Sequence, residues 1–404
     1  MRILLATYWY LPHVGGVSLH VFSLKKELER LGHEVDILAH HPDMKKYYMP
    51  NNGRFLDKSK VKDPIYEKVL AYYNKNLSQV DPWIYWRDIE RYSFEAAASV
   101  FGLAKYDLIH THDIISTRAL WRVKPKETPL IATIHGCLAT ELIVAGDIKE
   151  KEGLKWDYVS AEEYYGATSS DATILPSHWL KNLLTNEFKI PSNHLTVIPY
   201  GLDIESFRQK IDKYPNLERP AGKKVIICPA RLVPVKGHKY LIDALAKLKQ
   251  ERSDWHCWII GDGPLRQTLE QQVSQANLSS DITFLGNRED VPTLLNQSDI
   301  FVLPSLQDNL PFSIMEAQLS SKPIISTNAG GIPEMVDHGK NGLIVPAGES
   351  QPLYQSLKLM LENEGLRNQL KKNSIRLAAE KWSLQKMMGS LLDIYKKAVR
   401  RNYH

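Results

Sequence analysis

Short, continuous apolar runs alternate along the chain with stretches in which apolar residues recur at helical spacing. Ile3–Thr7 is the first run; after LPHVGGVS, Val17, Val21, Leu24, Leu28 and Leu31 repeat every three or four residues until Gly32. Glu34–Ala39 is the next run, and the rhythm returns at YDLIHTHD, PLIATIHG and DATILPS, each followed by an amphipathic stretch. LTVIPYGLD closes this half near Asp203. A second series follows: KKVIICPAR, WHCWIIG, ITFLG, IFVLPS, PIISTN and GLIVP, with predicted helices around 240–248, after Pro264, near 291–297 and from Ser313. Strands apolar on both faces, separated by helices, predict parallel sheets covered on both sides. The expected class is α/β, with two Rossmann-like doubly wound domains.

Three stretches depart from this rhythm. Residues from about 42 to 100 are rich in Tyr, Trp, Lys and Asp and read as an insertion of helical pieces and exposed loop. The polar, Pro-containing chain at about 204–222 reads as a linker. The last helices, about 351–401, carry an apolar stripe that Leu391, Leu392 and Tyr395 continue beyond Trp382. The expected boundaries are therefore 1–203, 204–381 and a terminal helix at 382–404.

Composition narrows the function classes. The chain has 404 residues, 43% hydrophobic and 24% charged, the balance of an ordinary globular protein. No apolar run approaches the ~18–20 residues of a membrane-spanning helix. The opening MRILLATYWYL runs into Pro12 and a Gly pair with no small-residue cleavage site, so it reads as a first strand rather than a signal peptide. Three cysteines, Cys137, Cys228 and Cys257, form no CxxC pair, which excludes a disulfide framework or a Cys-based zinc site and fits a reducing cytosol. The net charge of +5 is concentrated: from Leu366 onward ten Lys/Arg face only Glu380 and Asp393. A nucleic-acid binder would show basic residues interleaved with aromatics, so no nucleic-acid partner is expected. The basic terminal helix is either a solvated face or a peripheral contact with anionic lipid, which leaves the cytoplasm and the inner membrane face as the expected locations. The sequence sets no oligomeric state.

Open parallel sheets bind ligands at the carboxyl ends of their strands, and the chemistry-bearing residues follow strands here. Gly15 and Gly16 come after the first strand and open a helix, where bare N–H groups favour an anion; a plain turn is the alternative. Arg231 and Lys236, in ARLVPVKGH, are two cations able to clamp a diphosphate and neutralise charge as it leaves, against the alternative of solvation. In SLQDNLPFSIMEA, Asp308 lies in a loop and Glu316 in the helix after it; such carboxylates accept hydrogen bonds from sugar hydroxyls, or merely stabilise a helix start. HTHD sets His110, His112 and Asp113 together without further identifiable ligands, so no metal site is assigned. His178 reads as a capping or packing residue. GxGxxG, the P-loop, GxSxG and Asp-x-Asp are all absent.

Taken in order, GG (15–16), TIHG (133–136), PYGLD (199–203), ARLVPVKG (230–237), IIGDGP (259–264), FLG (284–286), DNLPFSIMEA (308–317) and GGIPEMVDHGKNGLIVP (330–346) resemble the family-4 retaining glycosyltransferases of the GT-B fold. The resemblance implies two Rossmann-like domains facing a cleft, with a terminal helix crossing back to the first. It implies transfer of a sugar from a nucleoside diphosphate sugar, UDP being the commonest base, to an acceptor hydroxyl on a glycan, a lipid-linked carrier or a small molecule. No cofactor beyond the donor is implied, and cations replace a metal in a front-face reaction. Arg231 and Lys236 match the diphosphate pair, and Glu316 matches the ribose-binding second Glu of Glu-x7-Glu. Asp308 falls on the first Glu, which serves the donor sugar with Asn309, Leu310, Pro311 and Phe312. Gly16, with Gly15, matches the glycine that meets the diphosphate and admits the acceptor, and His135 matches the histidine at the transferred sugar.

Two positions depart from the family pattern. Asp308 is one methylene shorter than Glu, and Tyr200 stands where Asn is common. In the insertion, Trp83, Trp86 and Arg87 are candidates for the acceptor, with peripheral packing as the alternative. A nucleotide-sugar isomerase or epimerase of the same fold, and a non-catalytic nucleotide-sugar-binding protein, are the competing functions.

Overall fold

The computed structural model describes residues 1–13, 15–77 and 79–401, the side chain of Arg401 excepted. The chain forms two compact units, Met1–Ile198 with Met388–His404, and Pro199–Met387. The division thus falls a few residues to either side of the boundaries expected at Asp203 and Trp382.

In the first unit the elements run β1 (Arg2–Tyr10), α1 (Gly16–Arg30), β2 (Glu34–His40), β3 (Lys46–Met49), β4 (Arg54–Asp57), α2 (Ser59–Asn76), α3 (Pro82–Phe101) and β5 (Leu108–Thr111). They continue with α4 (Ile114–Val123), β6 (Leu130–Thr133), α5 (Leu138–Ala145), α6 (Gly153–Thr168), β7 (Ala172–Leu175), α7 (His178–Glu187) and β8 (Leu195–Val197). The sheet order is β4-β3-β2-β1-β5-β6-β7-β8. At its centre Ile3 aligns with Val35 on one side and Leu108 on the other, and Ile3–Ala6 are fully buried, as a strand covered on both faces requires.

The insertion corrects one expectation. Part of it is neither helix nor loop: β3 and β4 form an antiparallel hairpin that extends the sheet beyond β2. Tyr47 and Met49 alternate into the core, and Asn51 ties the turn to β2 by accepting from Ile37 N at 3.1 Å and donating to Val35 O at 3.0 Å. Four-residue strands set among Lys and Asp leave too little period-two signal to read. The other part is helical: α2 and α3.

The second unit comprises α8 (Ile204–Ile211), β9 (Lys224–Pro229), α9 (His238–Lys249), β10 (Trp255–Ile260), α10 (Arg266–Gln275), β11 (Ile282–Gly286) and α11 (Val291–Gln297). After these come β12 (Ile300–Leu303), α12 (Phe312–Leu319), β13 (Ile324–Thr327), β14 (Gly342–Val345), α13 (Ser350–Glu362) and α14 (Glu364–Lys381). Its sheet is parallel throughout, in the order β11-β10-β9-β12-β13-β14. Alternate residues of one strand feed different cores: Ile226 and Cys228 join one cluster, Val225 and Ile227 the other. The expected linker is corrected too, because 204–211 is helix α8, capped by Asp203 (Ser206 N to Oδ1, 3.0 Å) and anchored by buried Phe207.

The chain enters and leaves this unit side by side. Leu202 N donates to Trp382 O at 2.9 Å, and a Cβ on Gly201 would sit 2.5 Å from Leu384 Cα. Trp382, fully buried, donates from Nε1 to Gln318 Oε1 at 2.6 Å. The terminal helix α15 (Leu384–Arg401) then returns to the first unit, where Leu391, Tyr395 and Ala398 are buried. The Tyr395 hydroxyl lies 2.6 Å from His110 Nδ1, and the Thr133 hydroxyl 2.8 Å from His110 Nε2.

Burial pushes His110 down to about 3, so the ring is neutral and needs one donor and one acceptor. Tyr395→Phe would leave one ring nitrogen unpaired and is expected to destabilise the first unit by about 1–3 kcal/mol. The check is a lower urea midpoint with an unchanged slope.

Candidate active site

The strand order of the second unit reverses between β9 and β12, so the loops leaving these neighbours diverge and open a crevice at their carboxyl ends. The loop after β9 carries Arg231 and Lys236; the loop after β12 carries Asp308. Arg231 is exposed and makes no ion pair among the described residues. Lys236 Nζ donates to Asp308 Oδ2, which also accepts from Ser305 Oγ at 3.1 Å. Both partners of the ion pair are largely covered, at 17% and 13% side-chain exposure, so water screens it less than a surface pair.

Glycines allow the backbones behind this pair to touch. Gly237 has φ +66°, and a Cβ there would lie 2.1 Å from Pro304 O. Gly330 has φ +59°, and its Cβ would lie 1.7 Å from Asp308 O, which accepts from Gly331 N at 3.0 Å. Leu306 N donates to Val235 O at 2.8 Å, stitching the two loops directly.

Asn309, Leu310, Pro311 and Phe312 are buried and lead into α12. Phe312 stacks on Tyr200, with centroids 4.9 Å apart and planes at 14°. Burial, then the Asp308 charge, push the Tyr200 phenol upward. Glu316, in the second turn of α12, has no hydrogen bond to its carboxylate among the described residues. Burial raises it to about 7, partly offset by Lys210.

The first unit repeats the plan: its order reverses between β1 and β5. Gly15 follows β1 in extended backbone and Gly16 begins α1. His135 follows β6, and its Nε2 lies 3.2 Å from Nδ1 of His112, with the rings stacked 5.5 Å apart. His20 of α1 meets both edge-on, at 5.6 Å from His112 and 5.2 Å from His135. Burial is the main cause that lowers all three, His20 to about 4 and the others well below the ordinary imidazole value. They are neutral at physiological pH.

Of the HTHD residues, His110 and His112 remain in ring contact, with centroids 4.4 Å apart, while Asp113 is drawn off into a helix cap. His110 turns to Tyr395 and Thr133. Asp113 caps α4 through Ser116 N (2.6 Å) and accepts from Thr7 Oγ1 (2.9 Å) and Tyr8 N (2.7 Å). His20, which sequence reasoning missed, takes the third place. The signal was there: His20 is three residues after Val17 and four before Leu24, on the buried stripe of α1. Glu163, also missed, accepts from Ala139 N at 3.0 Å and so holds the chain just beyond His135; burial raises it to about 7.

Trp83, Trp86 and Arg87 all lie on α3. The Arg87 guanidinium sits 4.9 Å over the Trp83 ring and bonds Glu162 of α6 at 2.6 Å, so these two pack α3 against α6. Trp86 is 41% exposed, with Lys62 Nζ 4.9 Å from its ring centroid.

Comparison with known proteins agrees with this layout. The family model described as Glycosyltransferase Family 4 matches residues 14–206, and that described as Glycosyl transferases group 1 matches 209–377. An uncharacterized glycosyltransferase of Methanocaldococcus jannaschii is 26% identical, with 99% of each chain covered. The MMP alpha-(1->4)-mannosyltransferase of Mycolicibacterium hassiacum is 24% identical, also over 99% of each. Among solved structures, HepE of Anabaena in complex with UDP-glucose superposes with a TM-score of 0.70 at 20% identity, covering 98% of this chain and all of that one.

The Glu316 shift carries a pH signature. A carboxyl raised on folding from 4.5 to about 7 costs stability as pH rises through that window. Glu316→Gln is expected to match the parent below about pH 4.5 and to exceed it above pH 7 by up to ~3 kcal/mol. Urea unfolding across that range checks the sign.

Proposed function

We propose, from the premise that the chain belongs to the family-4 glycosyltransferases and has their GT-B fold, that it moves a sugar from a UDP-sugar to an acceptor hydroxyl with retention of anomeric configuration. The observation that carries this reading is the placement of Arg231 and Lys236 at the β9/β12 reversal, beside Asp308 and ahead of Glu316. UDP as the base is favoured by the UDP-glucose complex of HepE.

In this mechanism Arg231, Lys236 and the N–H groups opening α12 stabilise negative charge on the departing diphosphate, the task a metal performs elsewhere. The C1–O bond to the diphosphate breaks first, leaving an oxocarbenium-like sugar. The acceptor oxygen bonds C1 on the face the diphosphate leaves, and a phosphate oxygen takes its proton. Glu316, ionised, accepts hydrogen bonds from the ribose hydroxyls; these favour its charged form and offset its burial. Asp308 accepts from a donor-sugar hydroxyl while orienting Lys236. Because Asp is shorter than Glu, its link to Lys236 keeps the carboxylate close to the cation. On the first unit, Gly15 and Gly16 admit the acceptor, and His135 meets the transferred sugar. The α3 face with Trp83, Trp86 and Arg87 contributes to acceptor choice. Location in the cytoplasm, with the basic α15 able to meet anionic lipid, completes the proposal.

A panel of UDP-, GDP- and ADP-sugars, read by thermal protection and slow hydrolysis, tests donor use; protection by none of them would overturn it. Lys236→Ala is expected to lower kcat by ~10²-fold or more with a smaller change in KM. Near-wild-type transfer by that variant would remove the diphosphate assignment. Replacing residues 42–100 with the matching segment of a relative should change acceptor choice and leave donor hydrolysis intact.

A further inference from the structure

We propose that His112 is a positioning residue for His135. Its Nδ1–H donates to His135 Nε2, which leaves His135 with a single N–H, at Nδ1, and no free lone pair in its ring. The part this plays in transfer rests on the reading that His135 meets the transferred sugar; the bond itself does not.

The contact has the geometry of a hydrogen bond. His112 Nδ1 and His135 Nε2 are 3.2 Å apart, the ring planes differ by 14° and the centroids are 5.5 Å apart. That centroid separation is the 3.2 Å contact plus the distance of each nitrogen from its own ring centre. Both nitrogens therefore lie on the line between the rings, the direction in which an imidazole N–H and lone pair point. The His112 ring is also clamped. Its backbone N–H donates to Ala6 O of β1 at 2.8 Å. His110, itself held by Tyr395 and Thr133, lies against the ring with centroids 4.4 Å apart, and His20 meets it edge-on at 5.6 Å. A donor fixed by such neighbours holds its acceptor to one orientation.

The direction of the bond follows from the other nitrogen of His112. Burial, and after it only other histidines, lowers both rings well below the ordinary imidazole value, so each is neutral and carries one proton. His112 Nε2 is buried with no hydrogen-bond partner. Were His135 the donor, the His112 proton would sit on Nε2 as a buried N–H with nothing to receive it. With His112 as donor, only a lone pair goes unpaired there, and an orphaned buried N–H is the rarer of the two. The proton of His135 is then on Nδ1, because the bond made by one ring nitrogen sets the tautomer at the other. In this form His135 offers a neutral N–H and has no lone pair to take the acceptor proton, which leaves that proton to a phosphate oxygen.

The test uses the full chain labelled with 15N at its histidines and read by long-range 1H–15N correlation at neutral pH, without donor or acceptor. Expected are a protonated Nδ1 and a bare Nε2 in both His112 and His135. In His112→Leu the His135 ring should lose that preference; in His112→Asn, whose amide N–H stands near the place of Nδ1–H, it should keep it. With UDP-glucose as probe, His112→Leu should lower kcat for hydrolysis at least about tenfold with KM changed less than about threefold, and His112→Asn should recover most of the loss. Should His112→Leu misfold, the signals of the parent decide. A proton on His135 Nε2, an unchanged His135 ring in folded His112→Leu, or full hydrolysis by that variant would overturn the proposal. If the parent leaves UDP-glucose intact, or His135→Ala hydrolyses it as the parent does, the donor reading or the sugar role of His135 fails instead, and the ring signals still decide the pair.

Discussion

A parallel strand buried on both faces has no room for chemistry along its length. The central strands β1 and β9 are apolar on both sides, as Ile3–Ala6 and Val225–Cys228 show, whereas β5 turns polar only at its carboxyl end with His110 and Thr111. Polar function is therefore pushed to the ends, and the ends open only where the strand order reverses. Both units obey this constraint. Arg231, Lys236 and Asp308 lie at one reversal; Gly15, Gly16 and His112 lie at the other, with His20 and His135 brought in from neighbouring elements.

The same constraint yields opposite electrostatics. In the second unit the loops bring together unlike charges, Lys236 and Asp308, with Gly237 and Gly330 letting the backbones behind them touch. In the first unit burial is not offset by counter-charge, so the histidines lose their protons instead. Anion chemistry suits the one environment. Neutral lone pairs dominate the other.

Much of this was legible in the sequence because strand ends are legible. Arg231, Lys236, Asp308 and Glu316 follow their strands at short range, so locating the strand located the residue. The two doubly wound sheets followed from the same periodicity, whereas the return of the terminal helix was implied by the family resemblance. The β3–β4 hairpin was not legible, since its stability comes from Asn51 reaching across to β2 rather than from local pattern. Helix α8 was hidden by polar residues that need only Phe207 as an anchor. The histidine cluster joins residues 20, 112 and 135, and no local window contains all three. Trp83 and Arg87 stood in the sequence as acceptor candidates with packing as the alternative, and their contacts that join α3 to α6 could not be read from any local window.

The hydrogen bond between Leu202 and Trp382, with Gly201 pressed against Leu384, gives the second unit the connectivity of a cassette. Its two ends are held together by its own backbone, so the unit closes on itself before the chain moves on. Recombination can therefore exchange one such unit for another without rethreading the first.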